Sequence, residues 1–303
     1  MTSYPSSRFQ RVLIVGATHG NELTGAYVVQ KLQRSPTLAQ RPTFETITLI
    51  ANPKALAAVR RYIDTDLNRC FRPQDLQDVT RCTYEEVRSR NINNRFGKDG
   101  ETPADVILDL HSTTAAMGLT LITYRRPFNL QLASYVQQQV PSVKVLVVPE
   151  PEQGYAGLRS ICGLGCTIEV GPIATGILQA DLFQQTETLV HHALNYVDHA
   201  NQGKMPKGNS ELTVYQQIGS IDYPRDEDHQ LRAMIHPQRQ FQDYKPLYPG
   251  DPLFLSFEGD RIDYSGDEVV YPVFINEAAY YEKGIAMILT RKQQILIDPI
   301  EPR

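Results

Sequence analysis

The sequence predicts an α/β fold: a mixed, largely parallel sheet flanked by helices, followed by a smaller β-rich C-terminal domain. Between Arg11 and Val197, short apolar runs alternate with amphipathic stretches of helical period. A linker-like run, GKMPKGNS at 203–210, then interrupts that texture. Beyond it, short alternating segments follow one another with no helical stretch between them. The expected boundaries are 1–204 for the first domain and 205–303 for the second, which would restrict access to the site of the first.

In order along the chain, Arg11–Val15 (RVLIV) reads as a buried strand closing on Gly16. Leu23, Ala26, Val29 and Leu32 then recur at three-residue intervals, as on one face of a helix. Glu45–Ile50 is a strand stopped by Asn52-Pro53, and Tyr84–Phe96 a polar-faced helix. Val106–Leu110 is an apolar run broken only by Asp109 and followed at once by His111. Leu119–Tyr124, Lys144–Val148 and Thr167–Val170 read as strands, with a helix at Leu130–Val140 between the first two. The stripe from Leu182 through Leu189, Val190 and Leu194 to Val197 marks a long amphipathic helix. In the second domain the strand candidates are Leu212–Ile218, Leu253–Phe257, Val269–Ile275 and Ile285–Thr290.

Composition narrows the class. The 303 residues carry 41% apolar and 21% charged side chains, the balance of a globular chain. A net charge of −4 argues against a nucleic-acid or anionic-membrane partner, both of which favour a basic surface. Met1–Gln10 is polar and lacks an apolar signal core, and no later run reaches the length needed to span a bilayer. Cys70, Cys82, Cys162 and Cys166 make no disulfide framework, and the Cys162/Cys166 pair has no matching second pair for a cysteine-rich zinc site. Free thiols and a cytoplasmic location are expected.

The chemistry concentrates at strand ends. In GATHGNE (16–22), His19 and Glu22 lie three apart where the first strand turns into the first helix. Open α/β sheets bind ligands just outside the carboxyl ends of their strands. An imidazole and a carboxylate there supply two protein ligands of an open catalytic zinc site. His111, leaving another strand end, is the natural third. A phosphate-binding loop is excluded, because Gly20 is followed by Asn21-Glu22 rather than Lys-Ser/Thr.

Two further clusters stand out. RRYIDTDLNR (60–69) is either a solvated, salt-bridged surface or a carboxylate clasp, since Asn68-Arg69 pairs an amide with a guanidinium. Near Arg159, Glu169 interrupts the apolar strand GCTIEV, where a carboxylate needs a partner or a task. It is either an inward structural ion pair or a general base. His191, His192 and His199 read as surface residues of the long helix, and His229 and His236 fall in the second domain.

Taken together, GATHGNELTG (16–25), RYIDTDLNR (61–69), DLHSTTAAMG (109–118), LRSICGLGCTIEVGP (158–172), DYPRDE (222–227), KPLYPGDP (245–252) and YPVFINEAAYYEK (271–283) resemble the aspartoacylase family of zinc amidohydrolases, which share a carboxypeptidase-like fold. The resemblance covers about residues 11–285, nearly the whole chain. It implies one Zn²⁺ on His19, Glu22 and His111, Glu169 as general base, and Arg61 polarising the scissile carbonyl. It also implies Asn68 and Arg69 on the substrate's α-carboxylate, with Tyr155, Arg159 and Tyr280 around its side-chain carboxylate. Two departures bear on specificity: the 153–157 loop matches loosely, and Gly284 follows Lys283 where vertebrate relatives carry a second lysine.

The expected activity is hydrolysis of N-acetyl-L-aspartate to acetate and L-aspartate, on a small anionic N-acyl amino acid and with homodimerisation as in relatives. The nearest alternative is a deacylase of N-acyl aromatic, neutral or succinylated amino acids. A metallocarboxypeptidase and a non-catalytic zinc-binding protein are the remaining readings.

Overall fold

Alternation along the strands explains the architecture. A computed structural model describes residues 8–151, 156–204 and 211–297. In β1 (Arg11–Gly16), Val12 and Ile14 face one side of the sheet and Leu13 and Val15 the other, and all four are fully buried. A strand covered on both faces must be apolar at every position, hence the unbroken run.

Eight strands form the main sheet in the order β11-β7-β5-β4-β6-β3-β1-β2. They are β2 (Glu45–Ile50), β3 (Val106–Ser112), β4 (Gly118–Thr123), β5 (Lys144–Val147), β6 (Gly165–Gly171), β7 (Glu211–Ile221) and β11 (Met287–Leu296), besides β1. Pairing is parallel except between β4 and β6 and between β7 and β11. The fold class expected from sequence is therefore the one observed, a mixed and largely parallel sheet flanked by helices.

On one face, α1 (Leu23–Arg34), α5 (Pro127–Gln139) and α6 (Ala180–Asn201) pack against Val12, Ile14, Leu108, Leu121, Val145 and Ile168. Gly25 of α1 lies so close to β3 that a Cβ there would meet Leu110 at 2.6 Å. On the other face, α4 (Tyr84–Phe96) brings Ile92 and Phe96 onto Leu13, Val15 and Ile107. No helix of the described residues is long and apolar enough to cross a membrane. Two short helices, α2 (Pro53–Ala58) and α3 (Pro73–Gln77), escaped the sequence reading. The first is locally well specified, since Asn52 accepts from the Ala55 N–H at 3.2 Å and Pro53 starts the helix.

The C-terminal segment is β-rich, as expected, but it is not separate from the main sheet. β7 pairs with β5 and β11 with β7, so both extend the large sheet. The remainder forms a three-stranded antiparallel sheet of β8 (Ala233–Ile235), β9 (Pro252–Ser256) and β10 (Arg261–Asp263). Its own core contains Tyr223, Leu247, Leu253, Phe254 and Tyr264.

The strand expected at Val269–Ile275 does not form. Val270 and Val273 make isolated bridges to Leu247 and Ile288, and the chain then turns left-handed at Phe274 and Asn276. Pro272, which has no N–H to donate, lies between the two bridges. His111 and Ser112, expected beyond the end of β3, are its last two residues.

Candidate metal and catalytic centre

The same alternation aims the functional side chains. On β3, Val106, Leu108 and Leu110 face the α1/α5/α6 layer, leaving Asp109 and His111 on the opposite face. On β6, Cys166, Ile168 and Val170 do likewise, leaving Thr167 and Glu169 beside them. β3 and β6 pair in parallel with His111 opposite Glu169, so ligand and base candidates share one rung of the ladder.

After β1 the chain passes through Ala17 at φ 55° and delivers Thr18 and His19. Thr18 Oγ1 donates to Asp109 Oδ1 at 2.8 Å, tying this turn to β3. Glu22 stands at the N-cap position of α1 but caps nothing with its side chain. Its carboxylate is turned to the histidines instead, with Oε1 2.6 Å from His19 Nδ1 and Oε2 2.9 Å from His111 Nδ1. One ligand atom from each of the three residues falls within 4.8 Å of the others. All three side chains are buried.

The distal nitrogens have carboxylate neighbours. His19 Nε2 lies 3.1 Å from Asp66 Oδ1, and His111 Nε2 lies 2.9 Å from Asp109 Oδ2. The second contact is close enough for an ion pair but is not aligned as a hydrogen bond. A carboxylate behind each ligating histidine is the usual way to fix its tautomer and orientation. The donor set of two imidazoles and one carboxylate, each imidazole so backed, fits a metal ion.

Charges reinforce the geometry. Burial pushes the Glu22 carboxyl up, but His19 and His111 outweigh it and hold the group well below the usual carboxylate range. Burial likewise opposes ionisation of Asp66, and His19 and Arg61 reverse the balance. His111 is depressed by burial but raised further by Asp109 and Glu22, to well above the ordinary imidazole range. Glu169 differs: burial dominates and pushes its carboxyl well above the ordinary range.

Arg61 spans this cluster. Its Nη1 is 3.2 Å from Glu22 Oε1, while Nε and Nη2 reach Asp66 Oδ2 at 3.3 and 3.1 Å. The loop that carries it is shaped by Glu85, a fully buried residue of α4. Glu85 accepts from Asn52 Nδ2 and from the backbone N–H groups of Ile63, Asp64 and Thr65 at 2.7–3.2 Å. Val59, just before this loop, adopts φ 49°. Left-handed backbone at Ala17, Val59, Phe274 and Asn276 thus borders His19, Arg61 and Glu277, a strained conformation that tends to collect at functional sites.

A cavity of about 540 Å³ opens onto the cluster. His19, Glu22, Arg61, Asn68, Arg69, His111, Arg159, Glu169 and Tyr280 all line it, so nine of the ten residues singled out from sequence converge on one space. Tyr155, the tenth, lies outside the described residues. Asn68 sits in a 3-10 turn capped by Asp66, and its Oδ1 accepts from the Leu158 N–H at 2.8 Å. Arg159 follows on the facing 3-10 turn, Leu158–Ile161, with its guanidinium 3.9 Å from the Tyr124 ring centroid. It is 6% exposed, and its Nε and Nη1 find no hydrogen-bond partner among the described residues. Ile122, Leu146, Val148 and Ile288 give the cavity an apolar wall.

The C-terminal segment contributes Gln217, Phe274, Glu277, Tyr280 and Lys283 to the lining of this space. Burial raises the Tyr280 phenol above its ordinary range. Glu277 accepts from the Thr114 N–H at 2.8 Å, from Thr114 Oγ1 at 2.9 Å, from the Ala115 N–H at 3.3 Å, and from Thr113 Oγ1. It thereby pins the loop that follows His111. Lys283 pairs with Glu282 at 3.0 Å, and Gly284 closes this 3-10 turn at φ 65°, a conformation that favours glycine.

Sequence reasoning did not single out Asp66, Asp109, Glu85, Glu277 or Tyr124. Asp109 and Asp66 did leave a signal, as a charge inside an apolar strand and an aspartate beside Asn68-Arg69. The partners of Glu85, Glu277 and Tyr124 are set by tertiary structure.

An open α/β sheet with two histidines and a carboxylate converging beside its strand ends is a frame able to hold a metal ion next to a substrate-sized cavity. The chain belongs to the succinylglutamate desuccinylase/aspartoacylase family: residues 8–197 match the catalytic domain of that description, and residues 210–292 match the AstE/AspA barrel-sandwich hybrid domain. A protein named probable aspartoacylase from Nostoc sp. is 50% identical over 97% of this chain and 99% of its own length. The N-acyl-aromatic-L-amino acid amidohydrolase (carboxylate-forming) of Rattus norvegicus is 40% identical over 98% and 96%. The crystal structure of murine aminoacylase 3 superposes with a TM-score of 0.91 at 38% identity, covering 97% of this chain and 98% of that one.

Proposed function

We propose that this protein is a zinc-dependent amidohydrolase that cleaves N-acetyl-L-aspartate to acetate and L-aspartate. The observation that carries the reading is Arg159: a buried guanidinium whose Nε and Nη1 lack partners among the described residues, lining the same cavity as the metal-ligand cluster. A buried cation without a fixed counter-ion is costly, and an anionic group on the substrate would relieve that cost.

His19, Glu22 and His111 would hold the zinc ion, with Asp66 and Asp109 behind the imidazoles. When bound, zinc supplies Lewis-acid chemistry, polarising oxygen and stabilising developing negative charge. Arg61 adds a fixed positive charge beside that point for the oxyanion of the tetrahedral intermediate. Glu169 takes a proton from the attacking water and delivers it to the nitrogen as the C–N bond breaks. A carboxyl whose proton affinity is raised by burial is suited to giving the proton back. Asn68 and Arg69 receive the α-carboxylate, while Arg159 and Tyr280, with Tyr155, surround the side-chain carboxylate.

The segment from residue 211 onward acts in this reading as a cover that admits small substrates, a role supported by Phe274, Tyr280 and Lys283 lining the cavity. All four cysteines are free, which agrees with work in the reducing cytoplasm.

A second reading rests on the apolar wall of Ile122, Leu146, Val148 and Ile288, which suits an N-acyl aromatic amino acid. The deciding experiment compares kcat/KM for N-acetylaspartate and N-acetylphenylalanine, with and without a chelator, in the wild type and in Arg159→Ala. The proposal expects chelator-sensitive preference for N-acetylaspartate, and a loss of about 10- to 150-fold on that substrate in Arg159→Ala, the range of a charge-assisted contact. Preference for the aromatic substrate would move the enzyme to the second reading.

A further inference from the structure

We propose that Tyr124 is a positioning residue that sets the enzyme's preference for an acidic side chain by holding the Arg159 guanidinium against its ring face. The proposal rests on the reading of Arg159 as the anchor for the substrate's side-chain carboxylate, and it deepens that reading.

Tyr124 immediately follows β4 and is only 2% exposed. The Arg159 guanidinium lies 3.9 Å from its ring centroid, and the Arg126 guanidinium lies 5.4 Å from the same centroid. Arg126 is itself held by Glu150 at 2.7 Å and donates to the Gly163 carbonyl at 3.2 Å. Gly163 comes two residues after the 3-10 turn bearing Arg159 and adopts φ 80°. A Cβ at this position would meet Arg126 Nη1 at 2.1 Å. The end of β4 therefore grips that turn through Arg126 and its arginine through Tyr124.

The ring has a definite task in this arrangement. Two nitrogens of Arg159 have no hydrogen-bond partner among the described residues, so carboxylates do not fix the whole guanidinium. The electron-rich face of an aromatic ring attracts a guanidinium without neutralising it. A carboxylate in the same place would bind Arg159 more strongly but would compete with the substrate's own anion. A ring thus holds the cation and leaves its charge for the ligand, which is the requirement of a charge-selective pocket. Tyr124 also lines the cavity with Arg159 and Thr167, so the stack lies along the wall where a substrate side chain would rest.

The test uses the zinc-loaded enzyme and four variants: Tyr124→Phe, Tyr124→Leu, Tyr124→Met and Arg159→Ala. With N-acetylaspartate, Tyr124→Leu should raise KM about 3- to 30-fold, the range that a cation–π contact supplies, and change kcat less than about twofold. With N-acetylphenylalanine its kcat/KM should stay within about twofold of wild type, a change too small for the loss of such a contact. Tyr124→Phe, which keeps the ring, should retain the wild-type ratio of kcat/KM for N-acetylaspartate to that for N-acetylphenylalanine. Tyr124→Met removes the ring with little loss of volume and gives the same readout if the leucine variant does not fold. Equal losses on both substrates, or a phenylalanine variant as impaired as the leucine one, would overturn the proposal. If Arg159→Ala abolishes the acidic preference and the ring-free variants do not alter it, the Tyr124 inference fails alone. If Arg159→Ala has no selective effect, the anchor reading fails and this proposal falls with it.

Discussion

Glu169 of β6 stands directly opposite His111 of β3 in the parallel ladder, so the candidate base and a candidate metal ligand are fixed to each other by backbone hydrogen bonding. Neither needs a mobile loop to reach the other. Glu169→Gln should therefore leave the ligand cluster intact and remove only proton transfer. The expected result is full metal content with kcat lower by about 10²- to 10⁴-fold. Metal analysis alongside turnover of N-acetylaspartate checks it; near-normal turnover in metal-replete protein would remove Glu169 from the reaction.

Asp66 should control both metal and substrate. It is buried and shared between His19 and Arg61, so Asp66→Asn frees the distal nitrogen of one and the guanidinium of the other. Loss of a carboxylate behind a ligating histidine typically weakens metal affinity about 10- to 100-fold. Competition against a chelator of known affinity measures this directly. An unchanged affinity would mean that the 3.1 Å contact plays no part in holding His19 for the metal.

Glu277→Ala should destabilise the fold as well as the site. The change leaves the Thr114 N–H and the Thr113 and Thr114 hydroxyls without their acceptor at a partly buried site. Orphaned groups of this kind cost about 1–3 kcal/mol each, and a total of about 3 kcal/mol is expected in urea denaturation. Activity well below the unfolding transition should fall too, because the released loop begins right after His111 and Ser112. A variant as stable as wild type would contradict the pinning role.

Asp243 gives a pH signature. This buried carboxylate accepts from the Ala116 N–H at 3.2 Å and the Ile275 N–H at 3.1 Å, yet burial dominates and raises its pKa to about 6. With a folded-state value above the unfolded one, its contribution favours the fold at low pH and fades as pH rises toward 6. From this group alone, wild type should lose about 1 kcal/mol of stability between pH 5 and pH 7. Asp243→Asn should lack that increment, whatever its baseline. Parallel pH–stability curves for the two proteins would refute the assignment.

The metal-ligand candidates were legible in the sequence because their chemistry demands particular residue types at strand ends, and strand ends show as breaks in apolar runs. β1 and β3 read clearly because both faces are covered. β8 and β10, three residues each, are too short for alternation to register. Val269–Ile275 has strand-like composition, but the left-handed turns at Phe274 and Asn276 depend on what the segment must pass over, not on its own residues. Glu277 looks like any helix-capping glutamate in sequence. Its partners at 113–115 lie more than 160 positions away, and Glu85 is hidden for the same reason. Strand order is equally non-local, so the placement of β7 beside β5 and of β11 beside β7 had no signature in the apolar pattern.

That placement bears on how the chain emerges during synthesis. When α6 has left the ribosome and β7 has not, β5 is an apolar strand with one edge unpaired, a ready template for another nascent chain. β7 closes that edge and is then an edge itself until β11 arrives some 65 residues later, a distance of about three to thirteen seconds of translation. The nascent protein passes through a window in which first β5 and then β7 lacks its neighbour, and synonymous changes that slow translation between residues 221 and 287 would lengthen it.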